Sequence, residues 1–196
     1  MKTVSKTFNV YPFTELPQKI IDGIVKKNQD QYVSDTLKES MNIYFDSELS
    51  TDNYSLKITD SENSANYRMT KITGELKGYS LSHCQGDGVA CFIDSFDIEE
   101  LGLTFKIEYF RKNHYYTHEN TYRINWINVY KNNEDYVFDD DTIEFIREQL
   151  TDMNKKLCNN MEYHGYRYIE DSSFIYEELS NDNETYYTID GKVYHE

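Results

Sequence analysis

The sequence predicts an α+β fold in which two N-terminal helices precede an antiparallel central sheet and a long acidic helix follows it. Two periodicities carry that expectation. Apolar residues recur every three or four positions over residues 16–49 and 143–161, and every second position in runs between Tyr54 and Tyr130. A chain of 196 residues with two prolines and no low-complexity stretch can bury a core without disulfides or metals. One domain, 1–196, is therefore expected.

Thr14 is placed to cap the first helix, with Pro17 in its first turn, where a missing N–H costs little. Leu16, Ile20, Ile21, Ile24 and Val25 give that helix one apolar face, and Gly23 is its weak point. Leu37, Met41, Tyr44, Phe45 and Leu49 predict a second helix beginning after Ser34 or Asp35. The period then changes to two: Tyr54, Leu56 and Ile58 alternate, as do Val89, Cys91 and Ile93, and Leu103, Phe105, Ile107 and Tyr109. Tyr122, Ile124, Trp126 and Tyr130 continue the pattern as a strand. Ile143, Ile146, Leu150, Met153, Leu157 and Met161 line one face of the long helix. A short helix over residues 173–179 and a closing hairpin with Asp190-Gly191 at its turn complete the chain.

The charge is unevenly spread. Residues 134–196 hold 17 carboxylates against 5 basic side chains, a formal −12 of the chain's −15. A field of that sign repels nucleic acid and anionic membrane and attracts basic protein surfaces. Direct nucleic-acid binding and membrane association are not expected. The first eight residues lack the apolar run of a signal peptide. The odd count of three cysteines, Cys84, Cys91 and Cys158, fits free thiols in a reducing compartment.

Within the acidic third, Glu144, Glu148 and Asp152 recur every four residues and point away from the apolar stripe. They form a ridge with steps of roughly 6 Å along the axis, comparable to two phosphate steps of roughly 3.4 Å on a nucleic-acid strand. Asp139, Asp140 and Asp141 stand at the start of the same helix, where carboxylates also cap it and offset its dipole. These six residues are the candidate partner-binding set.

Gln85-Gly86-Asp87-Gly88 reads either as a functional loop, with glycines that let backbone approach a ligand, or as a turn, and it lacks the lysine of a phosphate-binding loop. His114 and His118, with His83, Cys84 and Cys91, have no paired zinc-ligand spacing, and a strand holds positions four apart too far from each other for one ion. Neither Cys84 nor Cys91 is required to meet His114 as a nucleophile. No metal, cofactor or catalytic residue is expected.

Three segments, Phe13-Thr14-Glu15-Leu16-Pro17-Gln18-Lys19, the run from Tyr79 through Gln85-Gly86-Asp87-Gly88 to Phe92, and Tyr163-His164-Gly165-Tyr166-Arg167-Tyr168-Ile169-Glu170-Asp171, together resemble a diffuse family of small phage and prophage accessory proteins. That resemblance implies a phage-encoded antagonist of bacterial defence, a class that includes anti-CRISPR proteins, acting in the cytoplasm of the bacterial host. Joined to the charge pattern, it gives the functional expectation: an inhibitor of a CRISPR effector nuclease, of the Cas9 type, whose acidic helical face occupies the basic nucleic-acid channel. The alternatives are an antitoxin-like protein that sequesters a basic toxin or restriction factor, and a small nucleotide- or metal-dependent enzyme using Asp87 or the His114 and His118 pair.

Overall fold

One continuous helix occupies residues 18–49, where two were expected. The computed structural model describes residues 9–50, 54–60, 63–82, 87–112 and 117–194. Along the chain run β1 (Tyr11–Pro12), α1 (Gln18–Leu49), β2 (Ser55–Asp60), β3 (Asn63–Arg68), β4 (Thr70–Ser80), β5 (Gly88–Ile98), β6 (Leu103–Arg111), β7 (Tyr122–Lys131), β8 (Glu134–Asp135), α2 (Asp140–Glu170), α3 (Ser173–Asn181) and β9 (Tyr186–Tyr187). The fold is α+β with a five-stranded antiparallel sheet ordered β4-β5-β6-β7-β8. The chain divides into two compact units, Met1–Lys38 with Arg167–Glu196, and Glu39–Tyr166.

The first unit explains why α1 does not break. Its start lies after Thr14: Phe13–Glu15 is a 3-10 turn, and the Pro17 carbonyl accepts the Ile20 and Ile21 N–H groups at 2.8 and 3.1 Å. Ser34 and Asp35, read as start signals, are exposed mid-helix. The polar stretch around them is held from outside. Gln29 Nε2 donates to the Ile169 carbonyl at 2.6 Å, the Thr36 hydroxyl lies 2.8 Å from that of Tyr168, and Tyr32 packs on Tyr168 and Phe174. Tertiary contacts thus override a local sequence that reads as a boundary. The core of this unit is Phe13, Leu16, Ile21, Ile24, Val25, Ile175 and Tyr187. Gly191, at positive φ, closes the turn after Thr188.

In the second unit β2 and β3 form a hairpin, and β4 to β8 form the sheet. β3 and β4 were not anticipated, because residues such as Asn63-Ser64-Ala65-Asn66 and Gly74 dilute the apolar alternation. Gly74 sits at a bulge where an added Cβ would meet the Phe92 carbonyl oxygen. Trp126 does not share the inward face of Ile124. The ladder slips between Glu108↔Trp126 and Tyr109↔Ile124, leaving Ile124 buried and Trp126 62% exposed. Asn132 and Asn133, both at positive φ, make the tight turn into β8.

The β5–β6 ladder runs only from Ile98↔Leu103 to Ser95↔Lys106. Beyond it the Cys91 and Ile93 backbone groups would be orphaned, and α2 supplies partners. Ile93 N–H donates to Asn154 Oδ1 at 3.0 Å; Asn154 Nδ2 donates to the Tyr109 hydroxyl, which donates to the Ile93 carbonyl, both at 2.8 Å. One turn on, Cys158 Sγ accepts from Cys91 N–H and donates to the Cys91 carbonyl at 3.4 and 3.2 Å. Two strand residues advance roughly 6.7 Å and four helical residues roughly 6 Å, so the pairs stay in step. Elsewhere Gln149 exchanges two 2.8 Å hydrogen bonds with the Lys57 backbone, and Arg147 Nη1 donates to the Ile124 carbonyl at 2.9 Å.

Asn154→Leu keeps the branch at Cγ but leaves the Ile93 N–H without a partner, an expected loss of about 1–3 kcal/mol in unfolding free energy. Urea denaturation of the two proteins measures it. A variant as stable as the parent would mean that the amide finds another acceptor.

Candidate functional site

The buried stripe of α2 is Thr142, Ile146, Leu150, Asn154, Leu157, Cys158, Met161 and Gly165. With those residues against the rest of their unit, Glu144, Glu148 and Asp152 face solvent. They span two turns, roughly 12 Å along the axis. Glu148 and Asp152 have no partner among the described residues, whereas Glu144 accepts from Arg147 Nε at 3.0 Å.

The three aspartates at the helix start differ in role. Asp139 is the N-cap: its carboxylate accepts from the Thr142 N–H at 2.8 Å and from the Thr142 hydroxyl at 2.9 Å, while its carbonyl accepts from the Ile143 N–H. The bond from the Thr142 backbone, then that from its hydroxyl, holds the Asp139 carboxyl below its ordinary value. Asp140 and Asp141 are exposed in the first turn, where they favour the helix dipole. A depressed carboxyl stabilises the fold fully above its unfolded value of about 3.9 and loses that contribution as pH falls through the lower folded value. The Thr142 amide resonance is therefore expected to titrate with a midpoint below about 3.9, and a midpoint above it would mean that the cap does not form.

Of the motif loop, Gln85 and Gly86 lie outside the described residues, as do His83, Cys84 and His114. Asp87 is a structural hub. Its carboxylate accepts from the Ser80 hydroxyl at 3.1 Å, from the Ser82 N–H and hydroxyl at 2.6 and 2.9 Å, and from the Tyr166 hydroxyl at 2.6 Å. It thus joins the end of β4 to the start of β5 and ties both to α2. Gly88 is demanded by packing, since an added Cβ would stand 2.4 Å from His118 Cδ2. Asp87→Ala strands these donors and is expected to cost about 1–3 kcal/mol, with Asp87→Asn costing less; equal thermal midpoints for the parent and both variants would argue against the hub.

Cys91 and Cys158 are free and buried, with their sulfurs 3.6 Å apart. The hydrogen bond to Cys158, and then burial, raise the Cys91 thiol far above its ordinary value, which opposes thiolate chemistry there. His118 Nδ1 lies 2.7 Å from Glu119 and caps the short turn through Thr121. Among the described residues no three His, Cys, Asp or Glu side chains group as metal ligands, and no helix is long and apolar enough to cross a membrane.

Sequence reasoning missed a cleft of about 370 Å³ beside the β5–α2 junction. Phe92, Tyr109, Tyr122 and Ile124 line it together with Lys112, Arg123, Arg147 and Lys155. Its four cations come from separate places in the chain, so no local charge count reveals them. The i, i+4, i+8 spacing of Arg147, Thr151 and Lys155 was the one signal present, and the neighbouring acidic row obscured it. No protein-family model matches the chain, and comparison with curated proteins and with solved structures returns no significant match.

Proposed function

We propose that this chain acts by stoichiometric binding, as an inhibitor of a bacterial defence nuclease whose basic nucleic-acid channel receives the acidic ridge of α2. A CRISPR effector of the Cas9 type is the partner that the accessory-protein resemblance favours. The observation supporting this reading is that Glu144, Glu148 and Asp152 are exposed together on a helix that is pinned elsewhere on its surface: the Gln149 and Cys158 side chains donate to the Lys57 and Cys91 carbonyls, and Asn154 accepts from the Ile93 N–H. A helix whose backbone is already held in place loses little freedom on docking, so the attraction of its carboxylates to a basic channel is offset by side-chain ordering alone.

Charge alone speeds encounter more than it holds a complex. Val137, 87% exposed just before the helix, and Tyr163, 66% exposed and eleven residues beyond Asp152 on the same row, place apolar surface at either end of the acidic run. Lys155 and Lys156 end the run of acid. The expected interface is therefore short: three carboxylates flanked by two anchors.

The test is target-DNA cleavage by a purified Cas9-type effector with the chain added at increasing ratio and at two salt concentrations. Wild-type protein is expected to block cleavage near one equivalent. Glu144→Lys, Glu148→Lys and Asp152→Lys together are expected to weaken inhibition by about a hundredfold, since reversing close charge pairs costs several kcal/mol. Inhibition that survives the triple reversal would remove the ridge from the mechanism, and cleavage untouched by the wild-type chain would remove this partner.

A further inference from the structure

Where β6 pairs with β7, the sheet is covered on one face and bare on the other. Leu103, Phe105, Ile107, Ile124 and Val129 are buried on the inner face. Side chains alternate between faces along a strand, so the pairs Lys106↔Asn128, Glu108↔Trp126 and Phe110↔Arg123 stand together on the outer one. All six are exposed. Trp126 and Phe110, at 62% and 50% exposure, are large rings left in water on adjacent rows. Arg123 lies over the Phe110 ring, 5.2 Å from its centroid, and Lys106 over the Tyr130 ring at 5.3 Å. Such contacts orient a cation without using its N–H donors. Arg123, Lys106 and Glu108 have no ion-pair partner among the described residues, whereas Asp97 on the same face is engaged by Lys71 and by the Thr104 hydroxyl.

We infer that this face is the contact surface for a second copy of the chain, the two sheets packed face to face with Trp126 and Phe110 buried between them. Trp, Tyr and Arg are the residues that anchor protein interfaces. Charge selects the occupant. A chain of formal charge −15 repels its own copy wherever its surface is acidic, but here unpaired charges of both signs stand on adjacent rows. A two-fold axis places the same patch on both sides of the contact. With that axis along the strands, β6 of one copy faces β7 of the other, and Glu108 of each copy comes beside the row that holds Arg123 of the other. The two resulting ion pairs are equivalent. Four strands about 4.8 Å apart and a run of about 20 Å along them give a footprint of roughly 400 Å² per copy, the size of a weak, reversible contact and not of an obligate dimer.

The face shares no residue with the acidic ridge, so either is able to fail without the other. Trp126 is the chain's only tryptophan, and its fluorescence therefore reports on this face alone. The experiment is sedimentation velocity of the full chain from about 1 to about 300 µM, the range of weak complexes, with tryptophan emission read on the same samples. The wild-type chain is expected to pass from monomer to dimer, its emission moving to shorter wavelength as the dimer forms. Arg123→Glu and Glu108→Arg, each alone, are expected to weaken association about tenfold or more at unchanged melting temperature. An equimolar mixture of the two is expected to restore it, because the mixed dimer again sets opposite charges against each other. A monomer at every concentration overturns the proposal, as does a dimer whose tryptophan emission does not move. Association that survives both single reversals, or a mixture no better than either variant alone, overturns the paired contact.

Discussion

Much of the second unit depends on how the inner edge of β5 is completed. That strand leaves β6 at Ser95, and a buried strand edge without partners costs free energy at every N–H and carbonyl. Here a helix does the work of a strand. Asn154 with Tyr109, and Cys158 one turn later, satisfy both backbone groups of Ile93 and of Cys91. Because two strand residues and one helical turn advance by nearly the same distance, the arrangement fixes the register of α2 on β5 as well as its proximity. Burial also raises the Tyr109 phenol, so its hydroxyl stays protonated and able to donate to Ile93.

That fixed register sets what the other sides of α2 present. About 100° around the helix from the buried stripe, the Arg147, Thr151 and Lys155 row faces the cleft; the same step further on brings the Glu144, Glu148 and Asp152 row to solvent. A cationic pocket wall and an acidic ridge therefore occupy adjacent rows of one helix. The space next to the cleft follows from the same departure of β5 from β6, since Phe92 and Tyr109 belong to the strands that separate. On the β5 segment that has left β6, Asp94 is half-buried and its carboxyl is raised by loss of solvent.

The parts of the fold legible in the sequence are those where apolar spacing decides the structure. Leu150, Leu157 and Met161 mark α2, and Leu103, Phe105 and Ile107 mark β6, because each points into a core. What stayed hidden depends on polar groups meeting across the chain. The continuity of α1 rests on Gln29, Tyr32 and Thr36 finding Ile169, Tyr168 and Phe174. Met153 was assigned to the buried stripe of α2, while the residue that matters most there is its neighbour Asn154, whose polarity argues for a surface position in any hydropathy pattern. For the candidate sites, the exposed ridge was readable from a four-residue spacing. The role of Asp87 was not, since it depends on Ser80, Ser82 and Tyr166 converging, and neither was the cleft, whose cations lie up to 43 positions apart in the chain.

Native-state hydrogen exchange at the Cys91 and Ile93 amides tests the central pairing most directly. If α2 completes the strand edge, these two amides exchange as slowly as the Ser95 and Asp97 amides inside the β5–β6 ladder and open only with global unfolding. Exchange at the rate of an uncovered strand edge, with the ladder amides still protected, would contradict it.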